Sequence, residues 1–432
     1  MRVPTFLGRL FGAAAEHAAG GGSARKAIAL CRALLSERGE ASGTALARQA
    51  LDACLALDGE EREALFEALS RDFSPDPERV GKAADAYRRD PGQATLIRLQ
   101  ETVEPPRQEL FRRLNMAPGG TASVVELRRR LLKGLRAHPE WAALDADLLH
   151  LLRSWFNRGF LVLERIDWRT SAMVLEKLIA YEAVHAIKGW PDLHRRLEAD
   201  RRCFAFFHPA LPDEPLIFIE VALTRSMSNR VQPLLDVEAQ VGDPAQAKCA
   251  MFYSITNCQE GLRGISFGNF LIKQVAVELQ RELPQLRTFA TLSPIPGFRQ
   301  WLERQHVAGV EGLAQPGWQE AKKPDPLPTL LLQLCAYYLL HAKQGSQPLD
   351  AVARFHLGNG ARLERINWLG DTSDNGVSRS AALMVNYVYR LDEVERNHEL
   401  FANENRVIAS REVEHLAREA PLSAAARAKA KA

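Results

Sequence analysis

The hydrophobic period of this chain changes once, near residue 157, and that change limits what the chain can fold into. Before it, apolar residues recur at three- and four-residue spacing, the period of a buried helix face. The pattern predicts helices over 24–38, 43–57, 60–72, 78–89, 124–137 and 144–156. Helix breakers separate them: Gly20-Gly21-Gly22, Pro75-Asp76-Pro77, Pro105-Pro106, Pro118-Gly119-Gly120 and His138-Pro139. The basic run Arg128-Arg129-Arg130 reads as the wet face of one such helix. After the change, strand-type runs appear at 202–208, 215–224, 250–256 and 286–292, the second preceded by the turn residues Pro212-Asp213. Helices are still expected at 172–187 and 269–282, the latter with Phe270, Leu271, Val275 and Leu279 on one face. The reading is an all-helical N-terminal domain, 1–156, followed by a mixed α/β domain, 157–432.

Composition narrows the function classes. The 432 residues suit two domains, and 46% hydrophobic with 25% charged residues excludes wholesale disorder. The 56 basic and 53 acidic residues leave a net charge of +3, too near balance to point to nucleic acid. No apolar run reaches membrane-spanning length, and the mean hydropathy is −0.21. Six cysteines, at 31, 54, 203, 249, 258 and 335, form neither C-x-x-C nor a zinc pattern with histidine. That usage fits a reducing, cytoplasmic compartment, with a redox bridge between subunits left open. The short apolar run at 6–15 is interrupted by Arg9 and does not read as a signal segment. The Ala/Arg/Lys tail reads as a frayed end and not as a peroxisomal tripeptide.

Three segments could carry chemistry. In the first, Gln259 to Asn269, Gly264 and Gly268 allow close backbone approach just before an expected helix N-terminus. That arrangement suits a pyrophosphate, or the glycines simply cap the helix. It is neither a Walker A loop nor G-x-G-x-x-G. It does resemble the acyl-CoA loop of the GCN5-related acetyltransferase fold. Gly264-Ile-Ser266-Phe-Gly268 also matches the G-x-S-x-G nucleophile elbow, but the elbow needs an apolar strand running into its first glycine. Here Asn257, Cys258, Gln259, Glu260 and Arg263 precede it. In the second segment a strand ends at Ser293, and Pro294, Pro296 and Gly297 argue against both helix and further ladder pairing. Ser293 either caps a turn or presents a hydroxyl where α/β sheets gather ligands. The third segment sets His356 before Gly358-Asn359-Gly360, in a structural or a catalytic role. Downstream, Tyr387 and Tyr389 alternate like one face of a strand.

Taken together these segments resemble the malonyl-CoA decarboxylase family. The likeness rests on Phe252-Tyr-Ser-Ile255, Gly268-Asn-Phe-Leu-Ile-Lys273, Glu278-Leu-Gln-Arg-Glu282, Leu292-Ser-Pro-Ile-Pro-Gly-Phe298, Phe355-His-Leu357 and Arg365-Ile-Asn-Trp368. Upstream, Leu163-Glu-Arg165, Glu182-Ala-Val-His185 and Glu214-Pro-Leu216 fit as well. The resemblance implies a helical N-terminal domain used in self-association and an acetyltransferase-like catalytic domain. It implies Ser293 and His356 as the catalytic pair, with Tyr389 in support. It places malonyl-CoA against Arg263, Gly264, Ile265, Ser266, Phe267, Gly268, Asn269 and Ile272, and implies no metal or cofactor. One departure stands out: the family pattern carries an acidic residue where this chain has Ser266.

Decarboxylating a malonyl thioester leaves charge at C2 that spreads onto the thioester oxygen, so the substrate is its own electron sink. The protein must orient the leaving carboxylate, stabilise the enolate and protonate C2. His356, with an ordinary pKa near ~6.5, is the expected general acid and Ser293 its partner. An acyl-CoA acyltransferase of the same fold and a non-catalytic malonyl-CoA-binding scaffold remain as alternatives.

Overall fold

The computed structural model describes residues 22–37, 39–265, 267, 271–314, 317–320 and 326–422. The apolar run at 6–15 and the Ala/Arg/Lys tail lie outside them. The chain forms two compact units. The first comprises residues up to Leu161 together with His208–Glu214 and Gln259–Phe267; the second comprises the remainder.

Helices build the first unit: α1 (Ser23–Ser36), α2 (Glu40–Leu55), α3 (Gly59–Arg71), α4 (Pro77–Arg89), α5 (Gln93–Val103), α6 (Pro106–Asn115), α7 (Gly120–Gly134) and α8 (Ala142–Trp155). Their stripes bury Cys31, Leu34, Leu51, Phe66, Leu69, Phe111, Leu131 and Leu152. Trp141 closes edge-on against Phe66 at 5.1 Å. Gly134 makes room for it, since a Cβ there would stand 2.4 Å from the indole. Helices α5 and α6 go beyond the six that periodicity predicts. Pro106 reads as a breaker, yet it occupies the first turn of α6, where a missing N–H costs nothing. Helix α5 buries none of its residues and leaves Leu96, Ile97 and Val103 exposed, so it gives no core-facing signal.

The second unit is built on a sheet of strands β1 (Val162–Ile166), β2 (Arg201–Phe207), β3 (Ile217–Thr224), β4 (Cys249–Asn257), β5 (Thr288–Thr291), β6 (Ser293–Pro294), β9 (Arg362–Asn367) and β10 (Met384–Val388). A separate two-stranded ribbon pairs β7 (Lys343–Gln344) with β8 (Gln347–Pro348). The strand order is β1-β2-β3-β4-β5-β10-β6, with β9 also on β10. Every pairing is antiparallel except β4 with β5. A parallel pair needs a crossover, and the helix Leu271–Glu282 provides it. A bulge at Glu220/Val221 sets Ser254 opposite Glu220 and Phe252 opposite Val221.

Two expectations change here. The helix predicted over 172–187 stops at Tyr181. The Glu182 carboxylate accepts the N–H groups of Val184 and His185, and also the hydroxyls of Ser254 and Thr256. A side chain that competes for backbone donors in this way turns the chain out of the helix. Ser293 and Pro294 do continue the sheet, pairing with Val385 and Met384 of β10. A two-residue edge pairing tolerates a proline that lacks its donor.

Candidate active site

Ser293 sits where β5 gives way to β6, so its place is fixed by ladders on both sides. The Leu292 N–H donates to Phe252 O, and the Ile295 N–H donates to Ser380 Oγ at 3.1 Å. The next turn is closed by Gly297, where a Cβ would stand 2.6 Å from the Tyr338 hydroxyl. His356 lies in the last turn of the helix Ala351–Gly358, whose N-terminus Asp350 caps by accepting the Ala353 N–H. The Gly-Asn-Gly sequence ends that helix. Ala361 N–H donates to His356 O, Gly360 N–H to Leu357 O, and Gly360 takes φ +82°. This is a Schellman closure, and a Cβ at Gly360 would fall 2.1 Å from Val394 O. Tyr389 follows the end of β10, anchored by its N–H to Phe289 O at 2.8 Å.

These three elements converge on one buried chain of polar groups. Ser293 Oγ stands 2.9 Å from His356 Nε2, and His356 Nδ1 stands 2.8 Å from the Tyr389 hydroxyl. Ser293 Oγ also donates to Thr291 Oγ1 at 2.8 Å, and the Tyr387 N–H reaches the same oxygen at 3.2 Å. The Tyr387 ring stacks on the imidazole, centroids 4.6 Å apart. Ser293, His356 and Tyr389 are 5%, 3% and 1% exposed.

Burial changes the expected chemistry of the histidine. A charged imidazolium loses its hydration here and no anion compensates, so the His356 pKa is pushed down to about 3. The expectation of a general acid titrating near neutrality is therefore corrected: His356 is neutral at physiological pH. Burial pushes the Tyr389 phenol the other way, well above its ordinary value, and keeps it protonated.

The described part of the glycine loop belongs to the helical unit. Arg263 and Gly264 are exposed, the latter at φ +84°, while Ile265 and Phe267 are buried. Ser266, Gly268 and Asn269 lie outside the described residues. Ile272, in the sheet unit, is a fully buried side chain in the first turn of its helix. Arg128 holds the loop, donating to Gly261 O at 2.8 Å and Arg263 O at 2.9 Å while paired with Asp145. It is 2% exposed, which overturns its reading as part of a wet face. The signal was in the sequence, because Arg128 stands four residues after Val124 and three before Leu131, on the apolar stripe. Thr291 was passed over, although it stands two residues before Ser293 on the same strand face, and Tyr387 was noted beside Tyr389 but given no role.

The malonyl-CoA decarboxylase C-terminal domain matches residues 159–429, and the corresponding N-terminal domain matches residues 73–156. The crystal structure of malonyl-CoA decarboxylase from Rhodopseudomonas palustris is 50% identical with a TM-score of 0.89, covering 91% of this chain and 99% of that one. That from Agrobacterium vitis is 48% identical with a TM-score of 0.83, covering 90% and 98%. The mitochondrial malonyl-CoA decarboxylase of Anser anser anser is 37% identical over 389 residues, 80% of this chain and 77% of its own length. On two domain matches and this breadth of similarity, the chain belongs to the malonyl-CoA decarboxylase family.

Proposed function

We propose that this chain converts malonyl-CoA to acetyl-CoA and CO2, with Ser293, His356 and Tyr389 as the proton-handling groups. The observation that carries the reading is the continuous hydrogen-bonded path from Tyr389 through His356 to Ser293. Loss of CO2 leaves an enolate that must gain one proton at C2. Ser293 gives its hydroxyl proton to C2, and the His356 N–H, backed by the Tyr389 O–H at the opposite ring nitrogen, stays on the ring and hydrogen-bonds the serine oxygen that is left. Water restores the proton afterwards. The imidazole stays neutral throughout, as fits its lowered pKa; a neutral imidazole is still an effective hydrogen-bond donor to developing oxyanion charge. The stacked Tyr387 ring fixes the plane of the imidazole, so little reorganisation is left for the reaction itself.

Binding of the CoA moiety is assigned to Arg263, Gly264, Ile265, Ser266, Phe267, Gly268, Asn269 and Ile272. The positive φ of Gly264 suits close phosphate approach, and the buried Ile272 side chain leaves its backbone as the contact. The helical unit is assigned to self-association, through faces such as that of α5. Among the described residues no helix is long and apolar enough to cross a membrane. A cytoplasmic enzyme is the reading that the cysteine usage favours. The test is direct: incubate the purified protein with malonyl-CoA alone and follow CO2 and acetyl-CoA. Unchanged substrate would reject the proposal, and CoA release that requires an added amine would favour an acyltransferase.

A further inference from the structure

A serine hydrogen-bonded to a histidine is also the apparatus of thioester hydrolysis, and an enzyme that held acyl-CoA beside such a pair would risk destroying its product. In that chemistry the histidine must accept the serine proton, so Nε2 must carry a lone pair. The hydroxyl of Ser293 has one proton, and the geometry directs it to Thr291 Oγ1 at 2.8 Å. The 2.9 Å contact between Ser293 Oγ and His356 Nε2 must then be filled by a proton on Nε2. A neutral imidazole with its proton on Nε2 has a bare Nδ1, and there the Tyr389 hydroxyl donates at 2.8 Å. All the protons in the chain therefore point one way.

We propose that Thr291 decides which chemistry the Ser293–His356 pair performs: by taking the Ser293 proton it holds the imidazole proton on Nε2, and so withholds a latent thioester-cleaving activity. The inference rests on the decarboxylase reading and deepens it. Thr291 touches no substrate in this scheme. It is a positioning residue, fully buried, with its carbonyl held by Asn386 Nδ2 at 2.7 Å. Asn386 is itself fixed by Arg365 and Asn367, which bond its side-chain oxygen. The acceptor that orients Ser293 is thus braced from the strand behind it. With the proton on Nε2, His356 can supply a proton toward Ser293 but cannot remove one from it.

Removing the acceptor should release the other activity. In Thr291→Val the Ser293 hydroxyl loses its outlet and turns to Nε2, and the imidazole proton moves to Nδ1, facing the Tyr389 oxygen. Ser293 Oγ can then attack a thioester carbon while Nε2 takes its proton. The C–S bond breaks, CoA leaves as the thiol with that proton, and water releases the acyl group from the serine as a free acid. Acetyl-CoA is the proper probe, because it has no carboxylate to lose.

The first measurement is the ring-nitrogen spectrum of 15N-histidine-labelled wild type, with His356 assigned by its loss in His356→Gln. A proton on Nε2 is expected; a proton on Nδ1 would overturn the proposal whatever the variants do. In Thr291→Val the proton should move to Nδ1, and thiol release from acetyl-CoA should rise at least about tenfold over wild type, below the usual full contribution of a general base. Thr291→Ser, which keeps the acceptor, should restore the wild-type spectrum and background thiol release. An unmoved proton or unchanged thiol release in the folded valine variant would sink the idea. Should that variant not fold, the wild-type and serine spectra decide. The decarboxylase reading fails separately, on the absence of CO2 from malonyl-CoA with wild-type protein.

Discussion

The lowered pKa of His356 makes a prediction about pH that differs sharply from that for an ordinary catalytic histidine. With the pKa pushed down to about 3 by burial, protonated His356 amounts to about one molecule in ten thousand at pH 7. Reaching that form before each turnover would cost on the order of 5 kcal/mol, which no other group in the chain offsets. A hydrogen bond from the neutral ring to the serine oxygen avoids the cost. Measured by CO2 release between pH 5 and 9, kcat and kcat/KM should therefore show no ionisation that disappears in His356→Gln. The same group leaves a mark on stability. Its folded pKa lies below the unfolded value of about 6.5, so as pH falls below that value the unfolded chain takes up a proton the native ring refuses. Stability that is complete above pH 6.5 should decline toward pH 3 by up to about 1.4 kcal/mol per pH unit, and denaturant titrations of His356→Gln should lack that component. A rate limb with its midpoint near pH 6.5, present in wild type and absent in His356→Gln, would refute the neutral-ring reasoning.

The proposed hydrogen-bonded chain also predicts that losses at Ser293 and His356 are not additive: kcat of the double alanine variant should be barely below that of the worse single one. Gly360→Ala forces a side chain into a left-handed turn and within 2.1 Å of Val394 O, and should cost at least about 2 kcal/mol in chemical denaturation, with activity falling alongside. Arg128→Met strands the carboxylate of Asp145 and frees two loop carbonyls; the KM for malonyl-CoA should rise several-fold with kcat less affected, and equal parameters would detach this arginine from CoA binding. Ile97→Glu, at a side chain that is 50% exposed, should lower the mass of the assembly in light scattering while leaving the monomer's stability within about 0.5 kcal/mol.

Much of this molecule could be read from its residues, and the failures have a common cause. The change of period near residue 157 was visible in local pattern, whereas the roles proposed for Ser293, His356 and Tyr389 came from the family resemblance, the residues themselves leaving a structural role open. What escaped depended on partners distant in sequence. Nothing near Glu182 announces that Ser254 and Thr256 will bind its carboxylate and help end a helix. Nothing near His356 announces that its surroundings are dry. Pro294 looked incompatible with a ladder because a strand's edge is not marked in its own sequence. Arg128 is the instructive case, since its position on an apolar stripe was legible and its charge overrode the pattern.

The hairpin of α4 and α5 has little holding it to anything but itself. Ala83 is the one residue of α4 that is buried, and α5 has none. Such a segment can detach and return while the rest of the helical unit stays intact, so its amides should exchange with solvent through openings far cheaper than global unfolding. If the apolar side of α5 is where two copies meet, each opening must first wait for the copies to part. Exchange protection in this hairpin would then rise with protein concentration, whereas protection of buried strands such as β4 would not. The weakest-held piece of the monomer would be the one whose order depends on company.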